Sequence, residues 1–464
     1  MKNNRDTKQK KYEINMCEGP ILRKLLLFAI PLVCSGVLQL LFNAADIVVV
    51  GKFAGDKSLA AVGATSSLIN LLTNIFIGLS IGTNILVAKE YGAKKDDELK
   101  KTVHTSMLLS IISGIVLTLI GVLGADKILK LMHTPSGVLP LATLYLRIYF
   151  IGMTSMMIYN FGSAILRAIG DTKRPLYYLL GSGVVNVILN LIFVIVFDMN
   201  VAGVALATAI SQTISAVLVV RCIMREEGAI RFYPKKMRIY ADKLFMILRV
   251  GIPAGLQGTL FSLSNVVIQS SINGFGEIVV AGNSAASSIE GFVYMAMNAF
   301  YQAAISFTSQ NIGAGKVDRI KRVFFDAEIC VSVLGLIGGG ILVLFANPLI
   351  GFYTESESVV EAGIVRLSII ATTYAFCGMM DVAVGVLRGM GYSVMPMIVS
   401  LIGACGFRLL WIMTVFKIPA LHFIDTIYIS YPISWILTFA THLACFFMVY
   451  GRVKKRYMLK DNLQ

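Results

Sequence analysis

Twelve apolar runs, each 21 to 33 residues long, alternate with short polar connections along almost the whole chain, near 25–49, 60–88, 102–124, 139–166, 175–197, 201–221, 244–271, 279–311, 324–346, 363–387, 396–417 and 426–450. Runs of this length match the roughly 20 residues that a helix needs to cross a bilayer. In hydrocarbon the backbone must satisfy its own hydrogen bonds, so apolar runs predict helices. The pattern therefore predicts an all-α membrane protein of about twelve transmembrane helices. Several runs exceed what a bilayer needs, which predicts tilt or protrusion into water.

Composition strengthens this picture. The hydrophobic fraction is 56% and the charged fraction 14%, and the mean hydropathy is +0.77, far from a soluble domain of this length. Divided over twelve spans, the 464 residues give about 39 each, which leaves little for a soluble domain. The first twenty residues are polar and lack the apolar core of a signal peptide, so the first span is expected to remain in the mature protein.

The net charge of +15 could suggest nucleic acid, but 32 of the 41 Lys and Arg residues lie at the amino terminus and in alternate connections, and only five lie in the opposite set. That asymmetry is topogenic, excludes a nucleic-acid partner, and predicts cytoplasmic amino and carboxyl termini in a bacterial-type cell membrane. The seven cysteines are scattered without CxxC or Cys/His spacing, so no disulfide or metal site is expected from them.

The chain repeats itself. YGAKKDDELKK around Gly92 returns as IGAGKVDRIKR around Gly313, and LRAIGD with Arg167 and Gly170 returns as LRGMGY with Arg388 and Gly391, all at an offset of 221. Pro31 and Asn43 return at an offset of 222 as Pro253 and Asn265. A constant offset over separated blocks marks a duplication. Each half holds an even number of spans, so the repeats are parallel: two six-helix bundles at 1–224 and 244–464, joined by a basic cytoplasmic linker at 225–243.

Polar groups inside spans are expensive and are candidate sites by default. Gln39, Asn43 and Asp46 fall on one face of the first span. Asp46 reads as a titratable or cation-binding carboxylate with Asn43 offering an amide oxygen, or as a helix-end residue satisfied by water. Asn186 and Asn190 share a face of the fifth span, and suit either cation coordination or interhelical hydrogen bonding. In the eighth span Glu290, Tyr294, Asn298 and Tyr301 form a stripe in which a carboxylate beside aromatic rings would match a lipophilic cation. Gln257, Asn265 and Gln269 line one side of the seventh span, which has no carboxylate in its apolar run. Asp381 faces the cavity or a basic group. Arg167 and Arg388 read as fixing cytoplasmic helix ends, and Arg408 requires an acidic partner, either Asp381 or Glu290.

No Walker A, HExxH or GxSxG motif appears in its required context, so neither ATP hydrolysis nor other enzyme chemistry is expected. Work would then come from an ion gradient, about 2.3 kcal/mol per charge per 100 mV.

IP…NAADIVVVGKFAG, AKEYGAKK, LRAIGDTKRP, VAGVALATAIS and SQNIGAGKVDRIKR together resemble the multidrug and toxic compound extrusion (MATE) family of the wider multidrug, oligosaccharidyl-lipid and polysaccharide exporter superfamily. The resemblance implies two lobes forming a V and antiport of cationic drugs against Na⁺ or H⁺, by a monomer with no cofactor beyond the coupling ion. It places Asp46 at the family's acidic position in the first helix. Many members carry an acid in the fifth helix where this chain has Asn190, so Na⁺, if it is the ion, would be held by Asp46 and Asn190. The superfamily's other activity, export of a lipid-linked precursor, is the alternative, and a membrane-embedded enzyme a remote one. The substrate cavity is expected at Gln39, Gln257, Asn265, Glu290, Tyr294, Asn298 and Asp381.

Overall fold

The computed structural model describes residues 12–461, and no strand occurs among them. The basic amino-terminal stretch 1–11 and residues 462–464 lie outside the described residues. Sixteen α-helices account for the fold: α1 (Ile21–Val49), α2 (Asp56–Gly92), α3 (Asp96–Leu131), α4 (Leu139–Ile151), α5 (Met153–Ala168), α6 (Lys173–Leu191), α7 (Asn200–Arg225), α8 (Ala241–Asn273), α9 (Glu277–Gly313), α10 (Val317–Leu344), α11 (Ala346–Gly351), α12 (Glu357–Ile370), α13 (Tyr374–Gly389), α14 (Val394–Ser400), α15 (Phe407–Met413) and α16 (Ile424–Asp461).

Ten helical segments are long and apolar enough to cross a membrane, and α4 with α5, bent by 45°, supplies an eleventh. The eighth predicted span is the 37-residue helix α9, but it is not among the segments apolar enough to qualify. Asn283, Glu290, Asn298, Gln302 and the run SFTSQN at 306–311 dilute its hydropathy. That polarity belongs to a helix lining a cavity.

The duplication is visible in the backbone. Gly170 and Gly391, one repeat apart, both end a helix in the left-handed region, at φ 95° and 93°, where a side chain would clash. Pro31 lies inside α1 and Pro253 inside α8; a proline there removes a ladder hydrogen bond. The Ser35 hydroxyl donates to the Pro31 carbonyl at 2.9 Å, within the disturbed turn.

The chain forms two compact units, and their contents do not follow the expected boundary at 225–243. The first holds Met1–Thr65, Thr83–Ile247 and Ser309–Lys316; the second holds Ser66–Gly82, Leu248–Thr308 and Val317–Gln464. Side-chain anchors explain the return of Ser309–Lys316 to the first unit. Gln310 donates to the Ala168 carbonyl at 2.6 Å and Asn311 to the Met16 carbonyl at 3.1 Å. Within the second unit, α2 meets α8 backbone to backbone, since a Cβ on Gly251 would stand 2.6 Å from the Leu79 Cα.

The basic connection is packed, with Ala229, Ile230 and Phe232 buried. The Tyr233 amide donates to His104 Nε2 at 3.2 Å, and His104 Nδ1 lies 2.8 Å from the Lys100 carbonyl. A carbonyl only accepts, so Nδ1 carries the proton and the ring is the neutral tautomer. Lys243 closes the connection by pairing with Glu90 at 2.7 Å and Glu98 at 2.5 Å. In the first turn of α6, Arg174 bridges Asp171 of the preceding loop and Glu226. Burial holds the Asp171 carboxyl above its usual range against the opposing pull of Arg174.

In the second unit, α10 packs against α13 where a Cβ on Gly335 would stand 2.6 Å from the Ala375 Cα, and Phe324 of α10 stacks on Phe446 of α16 at 4.0 Å between centroids. Glu328 on α10 is buried, and neither carboxylate oxygen has a hydrogen-bond partner among the described residues. An unpartnered buried carboxyl is a liability whether charged or neutral. Glu328→Leu is therefore expected to raise the thermal unfolding midpoint of the detergent-solubilised protein. A lowered midpoint would overturn that reading.

Candidate functional site

The first unit contains a hydrogen-bonded polar cluster set among apolar helices. The last turn of α1 carries Asp46, while α6 places Asn186 and Asn190 one turn apart on the same face. Asn190 donates its amide N–H to Asp46 and lies 3.4 Å from the Asn186 oxygen. Asn186 in turn donates to the Thr208 hydroxyl of α7 at 3.4 Å. A carboxylate oxygen accepts and an amide nitrogen donates, which matches the nitrogen of Asn190 facing Asp46. Asn190 is fully buried, and its amide oxygen has no partner among the described residues. The cluster thus presents a carboxylate, two amide oxygens and a hydroxyl, a donor set suited to a hard monovalent cation.

Three of the four expected coupling residues come together here, and the fourth does not. Asn43 is exposed on α1 and takes no part in the hydrogen bonds of Asp46, Asn186 or Asn190. Gln39 is likewise exposed, belongs to the first unit, and is not among the residues that line the cavity described below. Both lie on the stripe with Asp46, but of the three only Asp46 hydrogen-bonds to α6, through Asn190. Thr208 was missed because a threonine in an alanine-rich helix has no distinctive spacing.

The second unit encloses a cavity of about 620 Å³, within the range of small-molecule sites. Gln257, Asn265, Glu290, Tyr294, Asn298 and Asp381 all line it, and three arginines line it with them. Arg366 of α12 grips Glu290 with two prongs, at 3.1 and 2.7 Å, and donates to Asn283 at 2.7 Å. The Tyr428 hydroxyl completes the knot by donating to Asn283 at 3.2 Å. Both charged partners are buried, so Glu290 meets a guanidinium where a lipophilic cation was expected. Arg366 stands in the run GIVRLSII, and an arginine inside a span was the signal that sequence reasoning passed over.

Two further expectations about arginine are corrected. Arg388 does not merely close a helix end: it points into the cavity, donating to the Tyr301 hydroxyl and to the Gln257 oxygen at 2.8 Å. Arg408 is not paired with Asp381 or Glu290. It donates to Ser434 at 2.8 Å and lies over Tyr431, 4.1 Å from the ring centroid, and near Trp435 at 5.5 Å. Stacking on aromatic faces substitutes for the acid. Asp381 instead stands beside the Tyr294 hydroxyl, within electrostatic range of Arg388. Among the described residues no group of three or more His, Cys, Asp or Glu side chains is arranged to hold a metal ion.

A helical membrane fold, a duplicated chain, an oxygen-rich cluster and a polar cavity among its helices define a polytopic transporter. The MatE family model matches residues 31–192 and 253–413, one match in each half, and the chain belongs to this multidrug and toxic compound extrusion family. It is 31% identical over 399 residues to the probable multidrug resistance protein YoeA of Bacillus subtilis, covering 83% of this chain and 85% of the relative. It is 20% identical over 446 residues to the multidrug export protein MepA of Staphylococcus aureus, covering 96% of each. Among solved structures, an outward-facing multidrug resistance MATE transporter superposes with a TM-score of 0.89 at 22% identity, covering 97% of this chain and all of that one. These relatives are transporters, and the superposition shows the fold.

Proposed function

We propose that this protein is a secondary active exporter of amphipathic organic compounds, exchanging them for Na⁺ or H⁺ across the cell membrane, with both termini cytoplasmic and the monomer as the working unit. The observation that carries the reading is the Asp46–Asn190–Asn186–Thr208 cluster. Na⁺ would use the Asp46 carboxylate with the oxygens of Asn190 and Asn186, whereas H⁺ would use Asp46 alone. The solute would occupy the second unit's cavity, where Asp381 and Tyr294 offer a place for a cationic group. The names of YoeA and MepA as multidrug proteins support this reading. Export of a lipid-linked precursor would be favoured by a densely basic cavity. Here Glu290 and Asp381 offset two of the three arginines.

Purified protein in proteoliposomes, loaded with an ethidium-like dye and given Na⁺ and pH gradients separately, tests the reading. Asp46→Asn is expected to reduce gradient-driven efflux to the level of empty liposomes while the protein stays monodisperse. Asn190→Ala should lower efflux driven by Na⁺ far more than efflux driven by H⁺ if Na⁺ is the ion. Unchanged efflux by Asp46→Asn would remove Asp46 from the mechanism, and no efflux under either gradient would end the antiport reading.

A further inference from the structure

We infer that the cavity of the second unit contains an oxyanion site centred on Arg408, so that a solute carried there bears a carboxylate or a chemically similar anionic group. This deepens the export reading above and rests on it for the step from binding to transport.

The charges in the cavity are unequal. Of its three arginines, Arg366 is saturated by Glu290 and Asn283, and Arg388 has Asp381 within electrostatic range. Arg408 has no carboxylate partner among the described residues, although it is 4% exposed. Among the described residues its Nη2 has no hydrogen-bond partner, and neither has Nε of Arg388, which is 3% exposed. Both side chains line the same cavity. A buried guanidinium is costly unless its charge and its donors are met. Ser434 satisfies Nε of Arg408, and the Tyr431 and Trp435 faces partly offset the charge, but rings accept no strong in-plane hydrogen bond. A carboxylate fits the planar fork of arginine better than any group now around it. Tyr431 and Trp435, which also line the cavity, add flat apolar walls for an aromatic or hydrophobic body. With Asp381 in the same cavity, a zwitterionic amphiphile would satisfy both ends.

The chain has two tryptophans, and only Trp435 lines the cavity. Trp411→Phe therefore leaves one indole beside Arg408. In that background, in nanodiscs of phosphatidylcholine, quenching by 4-nitrobenzoate and by the charge-reversed 4-nitrobenzylammonium reports binding. The expected result is saturable quenching by 4-nitrobenzoate, weakened at least about tenfold by Arg408→Gln, the loss of one charge-assisted contact, and recovered to within a few-fold by Arg408→Lys. Quenching by 4-nitrobenzylammonium should be unchanged or stronger in Arg408→Gln. If Arg408→Gln is not monodisperse, competition in the Trp411→Phe protein decides: benzoate should displace 4-nitrobenzoate and benzylammonium should not. Indifference of 4-nitrobenzoate to Arg408→Gln, or displacement by benzylammonium alone, would overturn the site. Adding phosphatidylglycerol to the discs separates the sources: weakened 4-nitrobenzoate binding assigns the oxyanion to a lipid headgroup, unchanged binding to a soluble solute. No gradient is involved. Lost binding with intact gradient-driven efflux removes the oxyanion site alone, and intact binding without such efflux removes the antiport reading alone.

Discussion

Arg366→Gln is expected to destabilise the protein by about 3–5 kcal/mol, the usual cost of removing one partner of a buried ion pair. The loss falls on Glu290, whose carboxyl would stay in a buried site after two charge-assisted hydrogen bonds at 3.1 and 2.7 Å disappear. Asn283 would lose its 2.7 Å contact at the same time. Glu290→Gln should cost a similar amount, since it orphans a guanidinium stacked between Tyr428 and Tyr431. The double variant Glu290→Gln with Arg366→Gln should be milder than either single change, because no isolated charge remains. Thermal unfolding of the four proteins in one detergent, taken as a double-mutant cycle, checks this. Additive losses would show that the pair acts as two independent groups, contrary to its geometry.

A second large effect is expected from Gly313→Leu, with Gly92→Leu as its counterpart. These glycines lie one repeat apart, and their contacts in the first unit are reciprocal. A Cβ on Gly92 would meet the Gln310 backbone, with the carbonyl carbon at 2.9 Å, and one on Gly313 would meet the Lys89 backbone, with the carbonyl carbon at 2.7 Å. Lys89 and Gln310 are themselves repeat equivalents. Each copy of the motif thus presents the same patch to the other, as in a two-fold contact. Backbone atoms cannot rotate aside, so the penalty should exceed the roughly 1–3 kcal/mol typical of overpacking against side chains. Either substitution is expected to abolish the monodisperse peak in size-exclusion chromatography. Gly340→Leu, at a helical position with open space around it, serves as the control and should elute unchanged. Normal elution of Gly313→Leu would show that the helix ends separate without cost.

The two effects differ in how far they could be foreseen. The glycine motif was visible as a repeat because the duplicated backbone demands the same small residue in both copies. The ion pair was not, since Arg366 and Glu290 are 76 residues apart and no periodicity links them. Stripes read from helical spacing had uneven fates for the same reason. Gln257, Asn265, Asn298 and Asp381 reached one cavity, yet Asn43 and Gln39, on the face that carries Asp46, remained exposed. Spacing fixes which residues share a face of one helix; the neighbours of that face are set by the packing of other helices.

The helical class, the apolar runs, the duplication and the polar residues placed at a cost in hydrocarbon are all legible in the order of the residues. Each follows from local rules of hydropathy, helical period and self-similarity, which act within a few turns of the chain. Three-dimensional packing is what brings Thr208 into the cluster of Asp46, matches Glu290 with Arg366, and sets Arg408 on aromatic rings with no acid beside it among the described residues. Those outcomes depend on which distant side chains share a small volume of low dielectric, where a charge is met by whatever packing brings within hydrogen-bond reach.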